Sequence, residues 1–143
     1  MKKSADIYLE LFELFSSKNA EIWKSFKTFF APYGLTDAQF QILQILKKNN
    51  YQSISQQLLV ERLDVTRANV TIILDRMEKN GYVKRTNSKT DKRTRGVTVA
   101  SLGKQKLEKI EKKFSEKVAL LFSNLSSKDR QTLTATLNKI QIK

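Results

Sequence analysis

The sequence predicts a mainly α-helical chain with one small β-hairpin, an α+β fold. Three observations carry that reading. Apolar residues recur at 3.6-residue spacing in several separate segments, the signature of helices with one buried side. Val83–Thr86 and Val97–Val99 read as two short strands flanking Asn87-Ser88-Lys89-Thr90-Asp91-Lys92-Arg93-Thr94-Arg95-Gly96, a loop too polar to bury. A short helix over 55–63 is joined to a longer one over 66–80 by Asp64 and Val65 alone. Helix, turn, helix, hairpin is the order of a winged helix-turn-helix, assigned here to residues 36–100. Residues 1–33 and 102–143 are helices outside it, and a chain of 143 residues suits a single domain.

Taken in order, residues 5–31 form one long helix. Tyr8, Leu11, Phe12, Phe15, Ile22, Phe26 and Phe29 share helical spacing, and Pro32-Tyr33-Gly34 ends it. So many aromatics require cover from the domain or from a second subunit. Thr36-Asp37-Ala38-Gln39 is a capping box, opening a helix with Phe40, Ile42, Leu43, Ile45 and Leu46. Lys47 to Gln52 is a polar turn, and Ser53-Ile54 adds one short strand beside the hairpin. Ser55 is the N-cap of the next helix, which buries Leu58, Leu59 and Leu63. Thr66 caps the longer helix, with Val70, Ile73, Leu74 and Met77 inward, and Gly81 stops it in the left-handed conformation. Ser101 is expected to cap a helix to about Ser123 carrying Leu107, Ile110, Phe114, Val118 and Leu121. Ser126 and Asp129 form another capping box, and Leu133, Leu137 and Ile140 follow in single file. A stripe that narrow on a terminal helix suggests pairing with another helix.

The longer helix turns polar and small residues away from its apolar side. Thr66, Arg67, Ala68, Asn69, Thr71, Ile72 and Arg76 are candidates for a surface offered to a DNA major groove. Arg67 suits guanine and Asn69 adenine, while the Thr71 methyl or Ile72 suits a thymine methyl. An ordinary amphipathic surface helix would show the same periodicity. The hairpin shifts the balance. Between Arg76 and Arg95 stand eight basic residues against two acidic ones. Lys89, Lys92, Arg93 and Arg95, with Asp91 among them, lie at a hairpin tip where phosphates or a minor groove would be in reach. Ser55 and Gln56 open the short helix, a position suited to a phosphate.

Composition narrows the classes. The net charge of +13 points to a polyanion, and double-stranded DNA fits a groove-reading motif better than a membrane surface does. There is no cysteine and no histidine, which excludes disulfides, thiol redox chemistry and Cys- or His-ligated metal. Four glycines build no phosphate loop, no carboxylates cluster, and the commonest general base is missing, so no enzyme and no cofactor are expected. Met1-Lys2-Lys3 leads into Ser4-Ala5-Asp6 rather than an apolar signal, and no run reaches the ~18 apolar residues of a membrane span. A cytoplasmic protein without a membrane partner is the expectation.

Gly81-Tyr82-Val83-Lys84-Arg85 and Thr90-Asp91-Lys92-Arg93, with Leu102-Gly103 before Lys106-Leu107 and Leu125-Ser126-Ser127 opening the last helix, resemble the MarR family of bacterial transcription regulators. Asp91-Lys92-Arg93 matches the family's wing motif, Asp-x-Arg. The resemblance implies that Arg93 enters the minor groove and that Asp91 helps hold the wing. It implies a homodimeric repressor on an inverted-repeat operator, paired through its terminal helices, with Tyr8, Leu11, Phe12, Phe15, Leu133, Leu137 and Ile140 as contacts. It also implies a small aromatic effector between those helices and the winged domain, for which Trp23, Phe26, Phe30, Tyr33 and Phe40 are candidates. Two positions depart from the family pattern: Asp64 stands where the turn usually has Gly, and Ile72 where Arg or a polar residue is frequent. The other reading is a winged-helix protein- or RNA-interaction module without sequence-specific DNA binding.

Overall fold

A computed structural model describes residues 4–86 and 96–143. Lys89, Asp91, Lys92, Arg93 and Arg95 lie outside the described residues. The elements are α1 (Ser4–Phe30), a 3-10 turn (Ala31–Tyr33), α2 (Asp37–Lys48), β1 (Ile54–Ser55), α3 (Gln56–Leu63), α4 (Arg67–Lys79), β2 (Val83–Thr86), β3 (Gly96–Val99), α5 (Ser101–Leu121) and α6 (Ser127–Leu137). The winged helix-turn-helix order is therefore present. The chain divides into two compact units, Met1–Glu108 and Lys109–Lys143.

In the first unit, local chemistry sets the boundaries. Pro32 sits in the 3-10 turn, and Gly34 closes it at φ 67. Thr36 and Gln39 make the reciprocal capping box, with bonds of 3.2 and 3.1 Å. Strand β3 is central to an antiparallel sheet of order β1-β3-β2. Ile54 opposes Val97 from one side, and Arg85 opposes it from the other. The short strand beside the hairpin is Ile54–Ser55, one residue later than the sequence suggested.

The core of this unit joins α2 (Phe40, Ile42, Leu43, Leu46), α3 (Leu59), α4 (Val70, Leu74, Met77) and the sheet (Ile54, Val83, Val97), all buried. Burying side chains of this size contributes about 1.5–3 kcal/mol each, which fixes how α3 and α4 cross. The C-terminal part of α1 docks through Phe30, whose ring lies 4.8 Å from that of Phe40. The start of α5 is pinned by backbone contact. Ala100 N–H bonds the Tyr82 carbonyl at 2.9 Å, and a Cβ on Gly103 would lie 2.1 Å from the same oxygen. Ser101 is the first helical residue rather than the cap: the Ala100 carbonyl accepts the Lys104 N–H at 3.1 Å, so Ala100 holds the cap position.

The N-terminal half of α1 is exposed over Ile7, Tyr8, Leu9, Leu11, Phe12, Leu14 and Phe15, an apolar surface too large for an ordinary solvated helix. In the second unit, α6 opens on the Ser126–Asp129 capping box and buries no residue. Leu133 and Leu137 lie on it, whereas Ile140 follows in a turn beyond its end, because the helix stops at Leu137. Among the described residues no helix is long and apolar enough to cross a membrane.

Candidate nucleic-acid interface

The helix-turn-helix is α3 and α4. Ser55 Oγ accepts the Leu58 N–H at 3.1 Å, and Thr66 Oγ1 accepts the Asn69 N–H at 3.2 Å, so each helix starts on a side-chain cap. The turn between them needs one residue in the left-handed region, and Asp64 supplies it at φ 50. Aspartate tolerates that conformation better than most residues with a Cβ. This explains how the chain keeps the turn without glycine.

Val70, Leu74 and Met77 hold α4 on the core. The opposite side, Ala68, Asn69, Ile72, Asp75, Arg76 and Lys79, is exposed along the helix, with Arg67 beside α3. Small, amide, apolar and basic side chains alternate there, a composition that can approach and discriminate base edges. Ile72 is 49% exposed, as a thymine-methyl contact requires.

Two candidate residues direct polar groups inward: Gln56 with its amide, and Thr71 with its hydroxyl. Gln56 is buried, and its Nε2 donates to Thr71 Oγ1 at 2.8 Å. Thr71 Oγ1 in turn donates to the Arg67 carbonyl at 3.0 Å. The Thr71 hydroxyl thus stitches α4 to α3, and the Gln56 side chain is not presented to a phosphate. The single Thr71 O–H is used on that carbonyl and cannot also serve Gln56, whose amide oxygen is buried without a partner among the described residues.

Arg85, one of the basic residues counted in this segment, also turns inward. On β2 it follows buried Val83 and exposed Lys84, so it points back toward α4. Its guanidinium bonds Asp75 and, at 3.2 Å, Glu78 Oε1, while its backbone N–H donates to Glu78 Oε2 at 2.9 Å. The side-chain bond from Arg85, then its backbone N–H, hold the Glu78 carboxyl below the usual carboxylate range. Burial opposes the charge on Arg85, and the bonds to Glu78 and Asp75 outweigh that penalty, so its pKa is raised. One of the eight basic residues is therefore spent on two carboxylates of α4. Asp75 and Glu78 would otherwise repel phosphate from this helix. Lys84 stays exposed on β2.

The five candidate pocket aromatics are mostly core. Phe26, Phe30 and Phe40 are buried, with Phe26–Phe30 centroids 5.9 Å apart. Trp23 and Tyr33 are half-buried at the edge of this cluster, against Phe26 and Phe29. The rings fill one another's space, which helical spacing alone cannot distinguish from a lined cavity. No group of acidic side chains suited to a metal occurs among the described residues.

A model of the MarR family matches residues 33–94, which span α2 to the hairpin. The chain is 32% identical over 116 residues to the helix-turn-helix-type transcriptional regulator PapX of Escherichia coli, covering 81% of this chain and 71% of that protein. It is 26% identical over 137 residues to the helix-turn-helix-type transcriptional repressor YetL of Bacillus subtilis, covering 96% and 80%. Its fold is similar to that of a mutant MarR from E. coli complexed with operator DNA, with TM-score 0.82, 23% identity, and coverage of 99% of this chain and all of that one. Both named relatives are transcriptional regulators. The chain belongs to the MarR family of helix-turn-helix transcriptional regulators.

Proposed function

We propose that this chain is a sequence-specific, double-stranded DNA-binding repressor that acts as a homodimer on an inverted repeat. The observation that carries this reading is the exposed side of α4, where Ala68, Asn69, Ile72 and Arg76 stand free on a helix rigidly backed by core. Each subunit lays that side in a major groove, with Arg67 and Asn69 at base edges. Arg93 at the wing reaches the flanking minor groove, supported by Asp91, and Lys89, Lys92 and Arg95 meet phosphates. The operator complex of the similar MarR structure and the repressor designation of YetL support the class of partner and the sign of regulation. The exposed apolar half of α1 supports a second subunit as its cover, through Tyr8, Leu11, Phe12 and Phe15. Leu133, Leu137 and Ile140, each about half exposed, are offered for the same contact.

The test is selection of bound duplexes from a random-sequence library, followed by competition with single-stranded RNA and unrelated duplex. A recovered motif with dyad symmetry, half-site centres about 10 bp apart, supports the proposal. Binding that ignores sequence, or prefers RNA, would sink it.

A further inference from the structure

Arg67 is not a free arginine. One of its terminal nitrogens donates to Gln57 Oε1 on α3, and Gln57 Nε2 donates to Glu61 Oε1 at 3.3 Å. The direction of this chain is dictated by its ends. A guanidinium can only donate and a carboxylate only accepts, so the Gln57 amide has one orientation that satisfies both: oxygen to Arg67, nitrogen to Glu61. The amide dipole then lies between opposite charges, which strengthens both bonds. Gln57 and Glu61 are i and i+4 on α3, the spacing that brings side chains together on a helix. The backbone under Arg67 is held as well, through the Thr71 hydroxyl and Gln56.

A guanidinium has five N–H donors, and bidentate contact with guanine uses two. The bond to Gln57 uses one and leaves a full edge of the fork available. An unrestrained arginine would lose more rotamer freedom on reaching a base. We propose that Gln57, oriented by Glu61, is a positioning residue that fixes the approach of Arg67 to a base edge and so sharpens discrimination there. Gln57 itself reads no base and neutralises no phosphate. The inference rests on the assignment of Arg67 as a base reader under the proposed function.

The experiment measures competition binding against a duplex selected from random sequence by the parent protein, and against a panel carrying each single change in the half-site. The variants are Arg67→Ala, Gln57→Ala, the double variant, and Glu61→Gln. Arg67→Ala should lose discrimination at a particular base pair. Gln57→Ala should lose about two- to tenfold of discrimination at that same base pair, the range of one hydrogen bond, with no change at other positions. The double variant should be no worse than Arg67→Ala, and Glu61→Gln should lose less of the same discrimination than Gln57→Ala, because its amide oxygen still accepts but its charge no longer fixes the Gln57 amide. The salt slope of Gln57→Ala should equal the parent's. Parental discrimination in Gln57→Ala, with Arg67→Ala relaxed, overturns the inference and leaves the base-reading role of Arg67 intact. So does independent, multiplicative loss in the double variant, or a uniform loss across the panel. If Arg67→Ala keeps every preference, Arg67 is no reader, and both the inference and that part of the proposed function fall.

Discussion

Glu78 on α4 accepts two hydrogen bonds from Arg85 on β2, one from the guanidinium at 3.2 Å and one from the backbone N–H at 2.9 Å. Helix α4 and strand β2 are thereby clamped together. Under the proposed function, this gives the two elements offered to DNA a fixed spacing.

The clamp makes stability depend on acid. The Glu78 carboxyl titrates below its ordinary value of 4.5 because Arg85 bonds it. A depressed folded value stabilises the fold above the unfolded value, and that contribution fades as pH falls through the folded one. After allowance for screening of a carboxylate 42% exposed, Glu78→Gln should cost about 1 kcal/mol at neutral pH. The gap in thermal midpoint between parent and variant should close on acidification below the usual carboxylate range. A gap that is constant with pH would remove Glu78 as its source.

Gly103 carries the junction between the hairpin and α5. A Cβ there would meet Tyr82 backbone at 2.1 Å, and backbone cannot swing aside. Gly103→Ala should lose about 1–3 kcal/mol in urea unfolding. Gly34→Ala has open space and only its φ of +67 to oppose it, so its loss should be smaller, about 1 kcal/mol. The reverse order would contradict the packing described.

Phe40 distinguishes core from effector pocket. Fully buried against Phe30, it should cost about 3–5 kcal/mol as Phe40→Ala. Chemical denaturation followed by far-UV circular dichroism measures this. A change below about 1 kcal/mol would indicate a ring that lines space rather than filling it.

The exposed half of α1 calls for a partner. Phe12, 68% exposed, and Leu11 beside it are expected at the contact between two subunits. Sedimentation equilibrium at micromolar concentration should give a dimer for the parent and a shift toward monomer for Phe12→Glu. A monomeric parent would leave the apolar surface of α1 to some other cover.

Much of this was legible because it is local. Thr36, Ser55, Thr66 and Ser126 cap helices through bonds to residues three positions away, and such short-range chemistry is written in sequence. The buried side of α4 followed from periodicity alone. The inward turn of Gln56 and Thr71 did not, because their bond spans 15 residues and depends on how α3 crosses α4. Arg85 could have been placed: strand alternation puts it on the side of Val83, facing the helix that Lys84 faces away from. Ser101 was misplaced by one residue because Ala100 is held by Tyr82, a contact with no local signal. Ile140 continued the spacing of Leu133 and Leu137, but the helix ended first.

The central claim is that the exposed side of α4 reads base edges. Its most direct test is the binding of parent, Arg67→Ala and Asn69→Ala to the selected duplex and to its single-base half-site variants at one fixed salt concentration. The parent should discriminate by about 1–3 kcal/mol at the contacted base pairs, and each variant should lose that preference at its own position while still binding. Unchanged preference in both variants would contradict the claim.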